Sequence, residues 1–169
     1  MTLYLLRHGI AEDRTADKPD RERTLTPRGR ARMRQAAVGL RVLVDHVDEI
    51  FTSPFPRAAE TATIAAAALA KGPKPRALDA LSHGTSPMEA LRVLRSMAKG
   101  ERIMLVGHEP ELSHLASLLL TGSIDGLHLE LKKGGCLAIE IRTLAPRVAT
   151  LAWLVTPRTL RKLGGAVAP

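Results

Sequence analysis

Leu3-Tyr4-Leu5-Leu6-Arg7-His8-Gly9 is the stretch from which the rest of the chain is read. Four apolar residues in a row, without alternation, mark a short strand covered on both faces, as in a parallel sheet. The run breaks at a cation, an imidazole and a glycine. Ligands of open α/β sheets bind just beyond the carboxyl ends of the strands. This strand therefore delivers Arg7, His8 and Gly9 to the place where such folds do chemistry. A second run, Ile103-Met104-Leu105-Val106-Gly107-His108, ends in the same way.

Between and around these strands, helical and extended patterns alternate. Ile10 to Arg23 is polar and aperiodic, which predicts a surface loop. Thr26-Pro27 predicts a helix start, with Thr26 as N-cap and Pro27 at the first helical position. The apolar positions Ala31, Met33, Ala37, Leu40 and Val44 carry that helix onward, and Arg28, Arg30, Arg32, Arg34 and Arg41 read mostly as its solvated face. Val47–Thr52 is a second strand running into the turn Ser53-Pro54-Phe55-Pro56-Arg57. Ala58 to Ala70 is an Ala-dominated helix, ended by Lys71-Gly72-Pro73-Lys74-Pro75. Arg76–Leu81 is a short strand or an extended link. Ser86-Pro87 starts a helix to about Ala98, and Pro110 opens another to about Leu120. Cys136–Ile141 and Val148–Val155, with a short link between them, predict an antiparallel pair. The expectation is a three-layer α/β/α sandwich, with a mostly parallel central sheet of five to six strands and helices on both faces. Residues 1–157 are expected to form a single domain, and 158–169 a basic surface tail.

Composition narrows the function. The 169 residues suffice for one domain with a real core. Aromatic residues make up 2%, too few for the stacking platforms of single-strand nucleic-acid modules. A lone Cys136 excludes an internal disulfide and a cysteine-based zinc cluster. No apolar run approaches the ~20 residues of a membrane span, and no signal-peptide pattern opens the chain, so a cytoplasmic protein is expected; a monomer is expected as well. The net charge of +8 fits either a solvated basic surface or attraction to anions such as phosphate, an acidic protein surface or nucleic acid.

Five residues stand out chemically. His8 is misplaced for packing at the end of a buried strand, and a neutral imidazole is a good nucleophile toward phosphorus. Gly9 beside it lets the backbone turn or approach a ligand closely. Arg7 is suited to gripping phosphate oxygens in a bidentate manner. Arg57 falls in the first turn of the Ala-rich helix, where a cation is unfavourable unless an anion is shared between them. His108 lies near the start of the next helix. Two histidines and two arginines from strand and helix ends can ring one phosphoryl group. The two histidines can alternatively bind metal, but no carboxylate or third histidine recurs at ligand spacing, so no metal is expected. His46, His114 and His128 fit no pattern and read as structural.

These residues also carry a resemblance. Leu6-Arg7-His8-Gly9, Ser53-Pro54 followed by Arg57-Ala58 and Glu60-Thr61, and Gly107-His108 followed by Pro110 resemble, in order and separation, the histidine phosphatase superfamily, which includes the phosphoglycerate mutases. The length resembles its smallest branch, the SixA-type protein phosphohistidine phosphatases. The resemblance runs from Met1 to about Val155. It implies that His8 becomes phosphohistidine, that Arg7 and Arg57 bind phosphate, that His108 donates to the phosphoryl oxygens, and that no cofactor is needed. Arg23 resembles an arginine near the site in the small branch, with a solvated loop arginine as the alternative. At Leu78-Asp79-Ala80-Leu81-Ser82-His83-Gly84 the chain departs from the pattern: Ala80 stands where the small branch usually has a carboxylate. Asp79 and His83 are the candidates for a general acid there. A missing acid suits an imidazole leaving group better than an alkoxide. The substrate expected is a phosphohistidine-bearing protein, or else a small phosphorylated metabolite. Nucleic acid is not expected as a partner, and a non-catalytic phosphate-binding module is the reading from another class.

Overall fold

The computed structural model describes residues 1–69 and 72–167. Its strands are β1 (Thr2–Arg7), β2 (Glu49–Thr52), β3 (Arg76–Ala77), β4 (Arg102–Gly107), β5 (Cys136–Ile141) and β6 (Ala149–Val155). Its α-helices are α1 (Pro27–Leu43), α2 (Pro56–Ala68), α3 (Pro87–Met97), α4 (Glu111–Thr121) and α5 (Pro157–Val167). One sheet runs in the order β3-β2-β4-β1-β5-β6. β3, β2, β4 and β1 are mutually parallel, while β5 runs antiparallel to both β1 and β6.

The strand period of two divides the core. Leu3 and Leu5 of β1 face one side with Ile103 and Leu105 of β4, against Leu91 and Leu94 of α3 and Leu112, Leu115 and Leu119 of α4. Tyr4 and Leu6 face the other side with Met104 and Val106, against Met33 and Leu40 of α1, Ala58 and Ala62 of α2, and Leu160 of α5. Both faces of the sheet are covered, which is why β1 and β4 are continuously apolar. The architecture is the expected α/β/α sandwich.

Local signals set the helix starts. The Thr26 hydroxyl accepts from the Gly29 amide and Ser86 from the Glu89 amide, each ahead of a proline at the first helical position. α2 ends at Ala68; the expected end at Ala70 and the break beginning at Lys71 fall on residues outside those described. β3 is shorter than the expected segment, and Asp79–Leu81 forms a 3-10 turn.

The largest departure is at the C-terminus. The stretch expected as a basic surface tail contains α5, which packs along α1 with Leu160 fully buried. The two helix backbones touch: a Cβ on Gly39 would lie 1.8 Å from the Leu160 carbonyl oxygen, and one on Gly164 would lie 2.8 Å from that of Gln35. α5 opens as α1 does, with the Thr156 hydroxyl accepting from the Thr159 amide and a proline at the first helical position. Arg158, Arg161 and Lys162 hid this pattern, because they lower the hydrophobicity of a helix whose inner face needs only Leu160, a glycine and its neighbours.

Candidate active site

Register brings the two histidines together. Arg7 pairs with Gly107 across β1 and β4, so the next residues of each strand, His8 and His108, emerge side by side. Their ring centroids are 5.1 Å apart. Thr52 of β2 pairs with Val106 of β4, which sets Ser53 at the same level. Three adjacent parallel strands thus end together. A pocket of about 300 Å³ opens there, lined by Arg7, His8, Asp13, Arg14, Arg23, Arg57, His83, His108, Glu109 and Lys133.

Hydrogen bonds fix what each ring presents. His8 Nδ1 lies 2.7 Å from the Gly9 carbonyl oxygen, which can only accept, so the proton is on Nδ1 and Nε2 keeps its lone pair. Gly9 is itself anchored by its amide donating to Thr61 Oγ1 at 3.0 Å. His108 Nε2 is 2.8 Å from Ser53 Oγ, and that oxygen also accepts from the Phe55 amide. If the fully buried Ser53 hydroxyl is to donate at all, it donates to Nε2. That leaves the proton of His108 on Nδ1, which is buried and without a partner. Burial pushes the His8 pKa down to about 3, with the charges of Arg57, Arg7 and Lys133 adding to the effect against the pull of the Gly9 bond. Burial, then His8, Arg57 and His83, push His108 down as well. Both rings are neutral at pH 7, so His8 Nε2 carries a free lone pair rather than a proton.

The arginines show a shared arrangement. Arg7 gives Nη1 to the Leu131 carbonyl at 2.8 Å and keeps a buried Nε with no partner. Arg57 gives Nη1 to the Asp20 carbonyl at 2.6 Å and Nη2 to Asp20 Oδ2 at 2.7 Å, and its Nε is likewise buried and free. Each guanidinium is held at its outer end and offers an unused N–H. A buried donor without a partner costs about 1–3 kcal/mol. Three such atoms, Arg7 Nε, Arg57 Nε and His108 Nδ1, belong to residues that line one pocket.

Arg23 lines the pocket, but its nitrogens are engaged: Nε and Nη2 donate to Asp20 Oδ1 and Nη1 to the Glu12 carbonyl. It holds Asp20 rather than offering itself to a ligand. Asp20 was not singled out in the sequence, where it is one acid among several in an aperiodic loop. In the structure it is the anchor of Arg57, Arg23 and Arg14. Of the two proton-donor candidates, His83 reaches the pocket, its Nδ1 2.9 Å from Glu111 Oε1. Asp79 does not: it is exposed at the start of the 3-10 turn and lines a different hollow with Ala77, Thr85 and Glu89. The turn points this carboxylate outward and Leu81 inward. Two carboxyls line the wall, Asp13 and Glu109; Glu109 Oε2 accepts from Ser113 Oγ at 2.5 Å, and its Oε1 is buried and unpartnered. Burial raises its pKa. Its only signal in the sequence is adjacency to His108. Among the described residues no group of three or more His, Cys, Asp or Glu side chains is placed to hold a metal ion.

With this geometry in place, comparison with known proteins is informative. The model of the histidine phosphatase superfamily (branch 1) matches residues 3–82. An uncharacterized protein of Picosynechococcus sp. is 39% identical over 150 residues, 88% of each chain. The structure of the protein histidine phosphatase SixA complexed with tungstate superposes with a TM-score of 0.80 at 20% identity, covering 95% of this chain and 99% of that one. A phosphoserine phosphatase from Entamoeba histolytica, in complex with 3-phosphoglyceric acid, gives 0.65 at 16% identity, covering 94% and 98%. The chain belongs to the histidine phosphatase superfamily. Family and fold support a phosphatase, a hydrolase of phosphoryl groups. Among the described residues no helix is long and apolar enough to cross a membrane.

Proposed function

We propose that the protein hydrolyses phosphohistidine on a partner protein, by way of a covalent phosphohistidine on His8 and without a cofactor. The observation that carries this is the His8 ring: its proton is committed to Gly9, and its free Nε2 shares the pocket with three buried, unpaired donors. Nε2 attacks the phosphorus in line, the new N–P bond forms, and the N–P bond of the substrate histidine breaks. The electron pair goes to the departing nitrogen, and the substrate ring, already protonated on its other nitrogen, leaves as neutral imidazole. Arg7 Nε, Arg57 Nε and His108 Nδ1 hold the equatorial oxygens, and such preorganised donors supply most of the stabilisation in phosphoryl transfer. Water then attacks the phosphorus and returns the electron pair to Nε2, releasing inorganic phosphate.

Two points support phosphohistidine over a phosphate ester. The likeness to SixA covers nearly the whole chain. The carboxylate candidate Asp79 lies outside the pocket, and a departing imidazole needs less acid assistance than an alkoxide. A second reading, a small-molecule phosphomonoesterase, is favoured by Glu109, a wall carboxyl whose raised pKa and unpartnered oxygen suit a proton donor. Single-turnover assays separate them, using a phosphohistidine-bearing carrier protein and a phosphoserine peptide, with EDTA present, on wild type and His8→Ala. Loss of phosphohistidine alone, abolished in the variant, is expected. Equal action on both substrates moves the assignment to a phosphomonoesterase. No turnover of either overturns the enzyme.

A further inference from the structure

Beyond the Gly9 backbone from His8 lies a second cavity of about 290 Å³, and the catalytic machinery does not use it. Its floor is apolar: Ile10, Met33, Ala36 and Pro157 line it. Its rim is basic, with Arg32 from α1, Lys132 and Lys133 from the segment before β5, and Arg158 and Arg161 from the first turns of α5. No acidic residue lines it. Lys132 is paired with Glu130, but among the described residues Arg32, Lys133, Arg158 and Arg161 make no ion pair. Like charges gathered without a counter-charge are unfavourable, and burial together with the nearness of Arg32 and Arg158 lowers the pKa of Arg161. Some arginines outside the cleft are neutralised within hydrogen-bond reach, as at Arg30 with Glu60 and Arg92 with Glu89. Here four cations from three separate elements converge on one hollow and are left unpaired.

We propose that this cleft docks an acidic segment of the protein substrate, seating its carboxylates on Arg32, Arg158 and Arg161 while the phosphoryl group reaches His8. The proposal deepens the phosphoprotein reading and rests on it. Lys133 lines both cavities, so the two sites adjoin at that side chain. A compact metabolite held by its phosphate in the first pocket has no need of the second. A single-stranded nucleic acid would want an aromatic platform, and no lining residue is aromatic. Acidic side chains over a partly apolar floor match both the rim and the base. Charge complementarity of this kind sets partner choice and encounter rate more than intrinsic turnover. It therefore lets one small phosphatase select its phosphoprotein without altering the chemistry at His8.

The probe is a fluorescein-labelled oligo-glutamate peptide carrying no phosphate, with binding followed by anisotropy at low and moderate salt. Proteins to compare are wild type, R158E/R161E, R32E, and R34E/R41E. The last pair lies exposed on α1 outside the cleft and changes net charge as the first pair does. Wild type is expected to bind, more weakly as salt rises. With each rim charge worth somewhat under 1 kcal/mol, R158E/R161E should bind about tenfold more weakly. R32E should weaken binding in the same direction from a different element, so that a folding defect of α5 cannot be mistaken for lost docking. R34E/R41E should change it less than about threefold. Turnover of p-nitrophenyl phosphate should be the same in all four. No binding by wild type, or an equal loss in R34E/R41E, overturns the proposal. So does displacement of the peptide by stoichiometric pyrophosphate or by an oligonucleotide, which would make the ligand a small polyanion or a nucleic acid. A wild type that binds the peptide but leaves a phosphohistidine protein untouched would instead count against the phosphoprotein reading.

Discussion

Asp20→Asn is the perturbation that most sharply tests how the pocket is built. Asp20 Oδ1 accepts from Arg23 Nε at 3.0 Å, Arg23 Nη2 at 2.6 Å and Arg14 Nε at 2.9 Å, while Oδ2 accepts from Arg57 Nη2 at 2.7 Å. Every contact of the carboxylate is with a donor. An asparagine amide has one acceptor atom and one donor atom, so either orientation sets an NH2 group against a guanidinium. Three bonds outvote one, so the amide oxygen turns toward Arg23 and Arg14, and Arg57 loses its side-chain anchor. Hydrogen bonds to charged groups contribute about 1.5–3 kcal/mol. Arg57 keeps its bond to the Asp20 carbonyl but no longer has its planar fork held at both ends. If the lost anchoring is felt at the transition state, kcat falls roughly ten- to a hundredfold. The removed negative charge acts in the opposite sense on ground-state binding, because Arg14, Arg23 and Arg57 then attract phosphate unopposed. The variant should therefore show a lower kcat with KM, and inhibition by inorganic phosphate, unchanged or tighter. The assay is steady-state hydrolysis of p-nitrophenyl phosphate, a substrate too small to involve a docking surface. A kcat within threefold of wild type would refute the reasoning, since Asp20 would then be a surface counter-ion with no hold on Arg57.

Other expectations follow from the same coordinates. The folded state holds His8 and His108 neutral well below pH 6.5, whereas the unfolded chain protonates them near that value. Between those limits the unfolded state binds more protons, so stability falls as pH drops below about 6.5, by up to ~1.4 kcal/mol per pH unit for each ring; urea midpoints at pH 7.5 and 5.0 measure this. The His8 Cε1 proton should show no NMR titration between pH 8 and pH 5, where an ordinary histidine shifts fully. Gly39→Ala puts a methyl 1.8 Å from the Leu160 carbonyl and forces α5 off α1, at the upper end of the ~1–3 kcal/mol typical of overpacking, readable as a lower melting temperature. Glu109→Gln should slow hydrolysis of a phosphoserine peptide by about a hundredfold if Glu109 protonates an alkoxide, and should leave phosphohistidine turnover nearly unchanged.

Much of this site was legible because its residues sit where strands stop. β1 and β4 are apolar throughout, being covered on both faces, so Arg7-His8-Gly9 and Gly107-His108 stand out as abrupt changes of chemistry. Arg57 was legible for a related reason: a cation in the first turn of a helix opposes the dipole. The anion sharing that turn in the structure is the Asp20 carboxylate, in a loop with no periodicity to point at it. Loop residues gain their roles from where the chain folds back, and that depends on long-range pairing such as the bridge between Ala11 and Leu25. The same limit misplaced Asp79, since a one-residue rotation in a 3-10 turn decides between pocket and solvent. α5 was missed differently. Its Thr156-Pro157 start repeats the signal recognised at Thr26-Pro27, but the arginines that follow read as a solvated tail.

Those arginines tie the fold to the proposed docking of an acidic segment. A helix packed through glycines needs little apolar surface, and the close approach of α5 to α1 at Gly39 and Gly164 leaves its first turns free to carry charge. Arg158 and Arg161 are thereby held rigidly beside Arg32 instead of dispersing into solvent. Conformational freedom would let three guanidiniums separate and lower their repulsion; the packed helix denies them this. Their field is fixed in space, and Lys133 lines both their cleft and the pocket of His8. Loosening α5 by Gly39→Ala should therefore weaken binding of an acidic peptide along with stability, while p-nitrophenyl phosphate turnover below the melting range is spared. Equal peptide binding by a loosened α5 would mean that the charges act through their number alone, and that the placement of the helix has no part in recognition.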